Sequence, residues 1–223
     1  MRSQPDRLRP DSSQETSDRH ELVNRTPATA FELIVIGASL GGLRALEVIL
    51  SGLQPNFPAA IAIAQHRHRH QDANLAAFLQ HESPLPLVEA EDKQAIVAGH
   101  IYLAPADYHL LIEPGHFALS TEAPVTYARP SIDVLFESAA NAYAERVIGV
   151  ILTGASSDGA QGLAKIESYG GLAVVQDPST AENRTMPNAA IAATRAAKIL
   201  PLRMIAPFLV GFFASRSEWR GEG

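Results

Sequence analysis

Two hydropathy rhythms alternate along the chain. Short, nearly continuous apolar runs give way to stretches in which apolar side chains recur every three or four positions. Phe31 to Gly37 (FELIVIG), Ala59 to Gln65 (AAIAIAQ), Ile101 to Ala104, Arg146 to Leu152 (RVIGVIL), Leu172 to Gln176 and the pair Ile199-Leu200 read as strands. Leu43 to Leu50, Ala73 to His81, Ile132 to Ala144, Ala160 to Tyr169, Pro187 to Ala197 and Ile205 to Ala214 have helical spacing. Ser131 is placed to cap the third of these helices, and Gly170-Gly171 closes the fourth. His109 to Glu113 and His116 to Thr121, joined through Pro114-Gly115, read as a hairpin. Apolar strands alternating with amphipathic helices predict an α/β fold. It is a doubly wound, Rossmann-like, mostly parallel sheet with helices on both faces and an antiparallel hairpin added.

The rhythm is absent at both ends. Residues 1–30 are poor in apolar side chains, mix charges of both signs and are interrupted by Pro5, Pro10 and Pro27. Such a segment buries too little to offset its ordering entropy, so it is expected to be a disordered tail. Residues 31–215 are expected to form one globular domain, and residues 216–223 a polar C-terminal tail.

Composition narrows the chemistry. The chain has 223 residues, 46% of them hydrophobic, and no cysteine, which excludes disulfides, thiolate metal sites and cysteine nucleophiles. The formal charge of −6 gives no basic face for nucleic acid. No apolar run reaches the ~18 residues of a membrane span. Met1 to Asp11 holds no apolar block of the kind a secretory signal needs. The expectation is a soluble, cytoplasmic protein.

In a doubly wound sheet, sites form beyond the carboxyl ends of the strands. The first strand runs into Gly37-Ala38-Ser39-Leu40-Gly41-Gly42. Ser39 stands where a dinucleotide fingerprint needs its second glycine, and no Gly-Lys-Ser/Thr follows for a P-loop. The run fits G-x-S-x-G, a tight turn that exposes a serine nucleophile, and it fits equally a plain Gly/Ser turn or a phosphate cradle. The second strand runs into Gln65-His66-Arg67-His68-Arg69-His70. That run reads as a solvated basic loop, a His-x-His-x-His metal site, or a general base, for which His66 is nearest the strand end. The strand ending at Leu152 is followed by Thr153 to Gly159, where Asp158 is either a helix cap or the acid that orients a histidine. Together these strand ends offer a serine, a base and an acid. Their chain order, Ser-His-Asp, differs from the Ser-Asp-His of α/β-hydrolases.

At this point the sequence resembles the catalytic domain of the chemotaxis protein-glutamate methylesterases, the CheB family, over about residues 31–203. The resemblance is carried by Ile36 to Gly42, Gln65-His66, Tyr102 to His109 (YLAPADYH), Arg129 to Phe136 (RPSIDVLF), Val150 to Gly154 with Ser157-Asp158-Gly159, and Met186 to Ala190 (MPNAA). It implies a serine hydrolase that removes methyl esters from glutamates of methyl-accepting chemoreceptors and also deamidates receptor glutamines. It implies Ser39 as nucleophile, His66 as base, Asp158 as acid, and backbone amides near Leu40 and Ala155 as oxyanion donors. It implies no metal and no organic cofactor. As partners it implies the cytoplasmic domains of chemoreceptors, and as functional counterpart a receptor methyltransferase. Alternatives are the same hydrolysis in a non-flagellar chemosensory-like pathway, and a non-catalytic receptor-binding module.

The chain departs from the family's usual pattern in three places. Leu40 replaces a common threonine after the nucleophile, so a backbone amide survives there but a hydroxyl does not. Ala155-Ser156 replaces a common Met-Gly and alters the wall of the site. Arg67 to His70 replaces an apolar, proline-containing segment and is expected to add positive charge at the rim. The expected structural residues nearby are Ser131, as helix cap, and Asp107 and His109 beside the hairpin. Residues 1–30 are too short for the receiver domain that usually precedes this catalytic domain, so activity is expected to be constitutive or controlled in trans.

Overall fold

In the computed structural model, which describes residues 32–67 and 75–217, the first apolar run is strand β1 (Leu33–Ala38), buried at every position. A strand buried on both sides must divide its side chains between two layers, because successive residues point to opposite faces. Ile34, Ile36 and Ala38 enter one core together with Leu46, Ile49 and Leu50 of helix α1 (Gly42–Leu50). Leu33 and Val35 enter the other, with Ile132, Leu135 and Phe136 of helix α3 (Ile132–Tyr143). Each such fully buried Val, Leu, Ile or Phe side chain contributes about 1.5–3 kcal/mol relative to exposure.

The remaining elements follow in order. Strand β2 (Ala60–Gln65) precedes helix α2 (Leu75–Glu82), and strands β3 (Leu87–Glu89) and β4 (Ile101–Leu103) come next. The hairpin β5 (His109–Glu113) and β6 (His116–Ser120) leads to α3. After β7 (Val147–Ile151) come α4 (Ala160–Ser168), β8 (Leu172–Gln176), α5 (Thr185–Ala193), β9 (Lys198–Leu200) and α6 (Leu202–Ser217). The main sheet has seven strands in the order β3-β4-β2-β1-β7-β8-β9, and every pairing in it is parallel. Helices α1, α2 and α6 cover one face, while α3, α4 and α5 cover the other.

The doubly wound expectation holds. The hairpin forms a separate two-stranded sheet instead of extending an edge. It packs on α3, where the Ile112 N–H donates to Ser138 Oγ at 3.0 Å and the Gly115 N–H to the Tyr143 hydroxyl at 3.3 Å. Strand β3 was not anticipated, since its three residues are too few to show a period. Helix α5 stops at Ala193, short of the expected Ala197, because the Glu167 carboxylate captures the N–H groups of Arg195 and Ala196 at 2.8 and 2.6 Å. The terminal helix runs past the expected Ala214 to Ser217. The tail expected over residues 1–30, Phe31, the start of the second expected helix at Ala73 and the end of the chain from Glu218 lie outside the described residues.

The strand order places β2 and β7 on either side of β1. From β1 the chain fills one side of the sheet, passing through β2, the edge strand β3 and then β4 between them, and it later returns past β1 to continue through β7, β8 and β9. This reversal is the topological switch point, and the crevice belongs beyond the carboxyl ends of these three central strands.

Candidate active site

Ser39 leaves the end of β1 in a turn tied to its neighbour. Its N–H donates to the Thr153 carbonyl beyond β7 at 3.0 Å, and its carbonyl accepts the Gly42 N–H at 2.8 Å. The turn then passes through Gly41 at φ 78°, a left-handed conformation that costs glycine little and a side-chain-bearing residue more. Helix α1 starts immediately afterwards. The Thr153 hydroxyl donates to the Leu40 carbonyl at 2.9 Å, fixing the outer corner of the same turn.

His66 leaves the end of β2, where its N–H continues the ladder to the Ala38 carbonyl at 2.9 Å. Its Nε2 lies 2.7 Å from Oδ2 of Asp158. Asp158 lies in the turn between β7 and α4 and is closed to solvent. The following Gly159, at φ 93°, begins α4 against α3; a Cβ there would stand 2.5 Å from Ile132 Cγ2.

The carboxylate of Asp158 is held by the start of α3. Oδ2 accepts the Ile132 N–H at 2.7 Å, and Oδ1 accepts the Asp133 N–H at 3.0 Å and the Ser131 hydroxyl at 2.9 Å. The unpaired amides and the dipole at a helix N-terminus favour a negative charge. Burial pushes the pKa of Asp158 up, but the hydrogen bonds from His66, Asp133 and Ile132 together outweigh it and hold the carboxyl below the usual carboxylate range. An ionised Asp158 can only accept, so His66 Nε2 carries the proton. In the neutral ring the lone pair is then on Nδ1.

Ser131 serves two purposes. Its hydroxyl oxygen accepts the Val134 N–H at 3.4 Å, as the expected helix cap, while its hydroxyl proton goes to Asp158. Behind it, the buried ring of His109 accepts the Ser131 N–H on Nδ1 at 3.2 Å and donates from Nε2 to the Ala123 carbonyl at 3.1 Å. These contacts support the structural reading of His109. Asp133 is also buried and accepts the Gly162 N–H at 2.7 Å. Burial, and to a lesser degree the charge of Asp158, raise its pKa to about 6.

Ser39 and His66 line one open cavity of about 690 Å³, with Leu40, Gln65 and Arg67 on its wall and Pro124 and Tyr127 to Pro130 on the far side. Asp107 also lines it, at φ 64°. Among the described residues no hydrogen bond joins the Ser39 hydroxyl to His66. Catalytic contacts of this kind are commonly loose without substrate and tighten in the complex. The N–H groups of Leu40 and Ala155 donate to no acceptor among the described residues. Leu40 lines the cavity, whereas Ala155 is exposed and does not.

Arg67 does not supply the expected rim charge. Its guanidinium turns inward, 2% exposed, to Glu89 Oε1 at 2.5 Å and the Ala104 carbonyl at 2.9 Å. His68, Arg69 and His70 lie outside the described residues. Among the described residues no group of three or more potential ligands gathers to hold a metal ion, and no helix is long and apolar enough to cross a membrane.

The sequence expectation named the three strand-end residues and missed two features that hold them. One is the seat for Asp158 at the start of α3. The motif Pro130-Ser131-Ile132-Asp133 marked that helix start but not what it binds. The other is the side chain of Gln65, whose contacts with both turns are described below.

Comparison with known proteins shows what the chain is similar to. The family model described as CheB methylesterase matches residues 34–209. A relative from Leptospira interrogans is 47% identical over 191 residues, covering 85% of this chain and 99% of its own. A protein-glutamate methylesterase/protein-glutamine glutaminase from Anaeromyxobacter dehalogenans is 43% identical over 78% of this chain, which spans 51% of that relative's length. The crystal structure of the Thermotoga maritima CheB methylesterase catalytic domain superposes with a TM-score of 0.78 at 33% identity, over 83% of this chain and 100% of that one.

Proposed function

The chain belongs to the CheB methylesterase family, and from that premise we propose that it is a serine esterase that hydrolyses γ-glutamyl methyl esters on the cytoplasmic helices of methyl-accepting chemoreceptors. Ser39 is the nucleophile. His66 Nδ1 takes the hydroxyl proton as Oγ attacks the ester carbonyl, and the imidazolium that forms is stabilised by Asp158 through Nε2. The Leu40 N–H, which has no acceptor among the described residues, is the first donor to the developing oxyanion, and Ala155 is the second expected donor. Collapse of the tetrahedral intermediate breaks the bond to the methoxy oxygen. His66 returns the proton to it, and methanol leaves an acyl-enzyme on Ser39. A water deprotonated by His66 then frees the glutamate and restores the serine. With a glutamine substrate the same steps release ammonia. On this reading the enzyme works in the cytoplasm, opposite a receptor methyltransferase, and needs no cofactor.

One observation carries the proposal: the 2.7 Å contact between His66 Nε2 and a fully buried Asp158 at the strand end adjoining the serine turn. A surface histidine or a simple helix cap needs no buried carboxylate partner. The test is labelling with a fluorophosphonate probe followed by mass mapping. Wild-type protein should take one label on Ser39, and Ser39→Ala none. Absence of label on the folded wild-type protein, or label on another residue, would contradict the assignment.

A further inference from the structure

The last residue of β2 makes contacts that its place in the fold does not require. Gln65 is 8% exposed, and its side-chain nitrogen donates to two carbonyls, that of Ser39 at 2.9 Å and that of His66 at 2.9 Å. The amide orientation follows from these partners, since a flipped amide would point its oxygen at two acceptors. The price of this arrangement is Oε1, which is buried and has no donor among the described residues. It faces Gly42, where a Cβ would stand 2.2 Å away.

A buried acceptor without a donor is unfavourable, and native folds rarely leave one unexplained. The Ser39 carbonyl already accepts the Gly42 N–H at 2.8 Å, so it does not need Gln65 to be satisfied. An apolar side chain of similar length, such as methionine, would fill the space with no orphaned oxygen. Among the described residues the His66 carbonyl takes its one bond from Gln65, so the bond to Ser39 is the part of the arrangement that satisfying the backbone does not require. What the amide does do is join the turn after β1 to the turn after β2. It fixes the spacing of the residues carrying the Ser39 hydroxyl and the His66 ring. No other described side chain bonds to the backbone of both.

We propose that Gln65 is a positioning residue for the reaction assigned to this site, acting through Ser39 and His66 and not on the substrate. It rests on the proposed function above. A misplacement of about 1 Å between reacting groups costs up to ~100-fold in rate, so loss of this tie should slow the chemical step without weakening binding.

The test uses the full chain, Gln65→Met and Gln65→Glu, and a peptide glutamate γ-methyl ester. Met removes both donors and the orphaned oxygen. Glu keeps the shape and replaces the donor with an acceptor. Both variants should lose about tenfold or more in kcat with KM within twofold, and label more slowly with the fluorophosphonate. Gln65→Met should keep the wild-type unfolding midpoint. Folded variants with wild-type kcat would overturn the proposal. So would losses of activity that track losses of stability, or failure of both variants to fold, since each makes Gln65 structural. Wild-type turnover of the ester tests the function itself, so the two ideas fail separately.

Discussion

The Ser131 hydroxyl donates to Oδ1 of Asp158 at 2.9 Å from the position that also caps α3. One side chain thus serves a helix end and the proposed acid of the site. Ser131→Ala should cost more than the ~1 kcal/mol of an ordinary cap, because a buried carboxylate oxygen also loses a donor. The expected loss is about 2–3 kcal/mol in urea unfolding, together with a fall in kcat. A loss under about 0.5 kcal/mol with unchanged turnover would show that Asp158 does not depend on this seat.

Asp158 and Asp133 respond to pH in opposite senses. Asp158 is held below its ordinary value of 3.8, so its contribution to stability is present above that pH and is lost as pH falls through the lower folded value. Asp133 is raised from 3.8 to about 6. Between these values the folded protein holds a proton that the unfolded chain has released, so stability falls as pH rises through the window and is level above it. Asp133→Asn abolishes this titration. Relative to wild type it should gain about 1–3 kcal/mol as pH rises from 4 to 7. Parallel stability curves for the two proteins across that range would contradict the assignment.

Tyr127 stands fully exposed on the cavity wall, in a turn whose residues Thr126 and Tyr127 both have positive φ, 50° and 63°. The turn is closed by reciprocal backbone bonds between Val125 and Ala128, and Arg129 ties the segment after β6 by donating to the Thr121 and Glu122 carbonyls. A conformation costly for residues with a Cβ, presenting an unburied ring beside the serine, fits contact with a large substrate. Tyr127→Ala should raise KM for methylated receptor about tenfold and leave a small ester's kcat/KM unchanged, with stability within ±0.5 kcal/mol. Equal effects on both substrates would remove this role.

What could be read from the sequence was whatever depends on neighbours along the chain. The apolar runs of β1 and β2 and the helical spacing of α1 and α3 are local patterns, and they place Ser39, His66 and Asp158 at strand ends. Resemblance to a family then supplied their roles. What could not be read depends on contacts between distant segments. Ser131 and Asp158 are 27 positions apart, and nothing near either one names the other. Arg67 looked like a rim charge because its partner, Glu89, lies on a strand too short to show a pattern. The early end of α5 depends on Glu167, on another helix, intercepting two backbone amides. The orphaned oxygen of Gln65 exists only in the packed state.

The most direct measurement is methanol release from receptor membranes carrying methylated glutamates, comparing wild-type protein with Ser39→Ala. The account predicts sustained release by the wild type and a loss of about 1,000-fold or more in the variant, since removing a triad member eliminates nucleophilic catalysis and leaves only binding and the oxyanion donors. Equal release by the two proteins, or none by a folded wild type that binds the membranes, would contradict it.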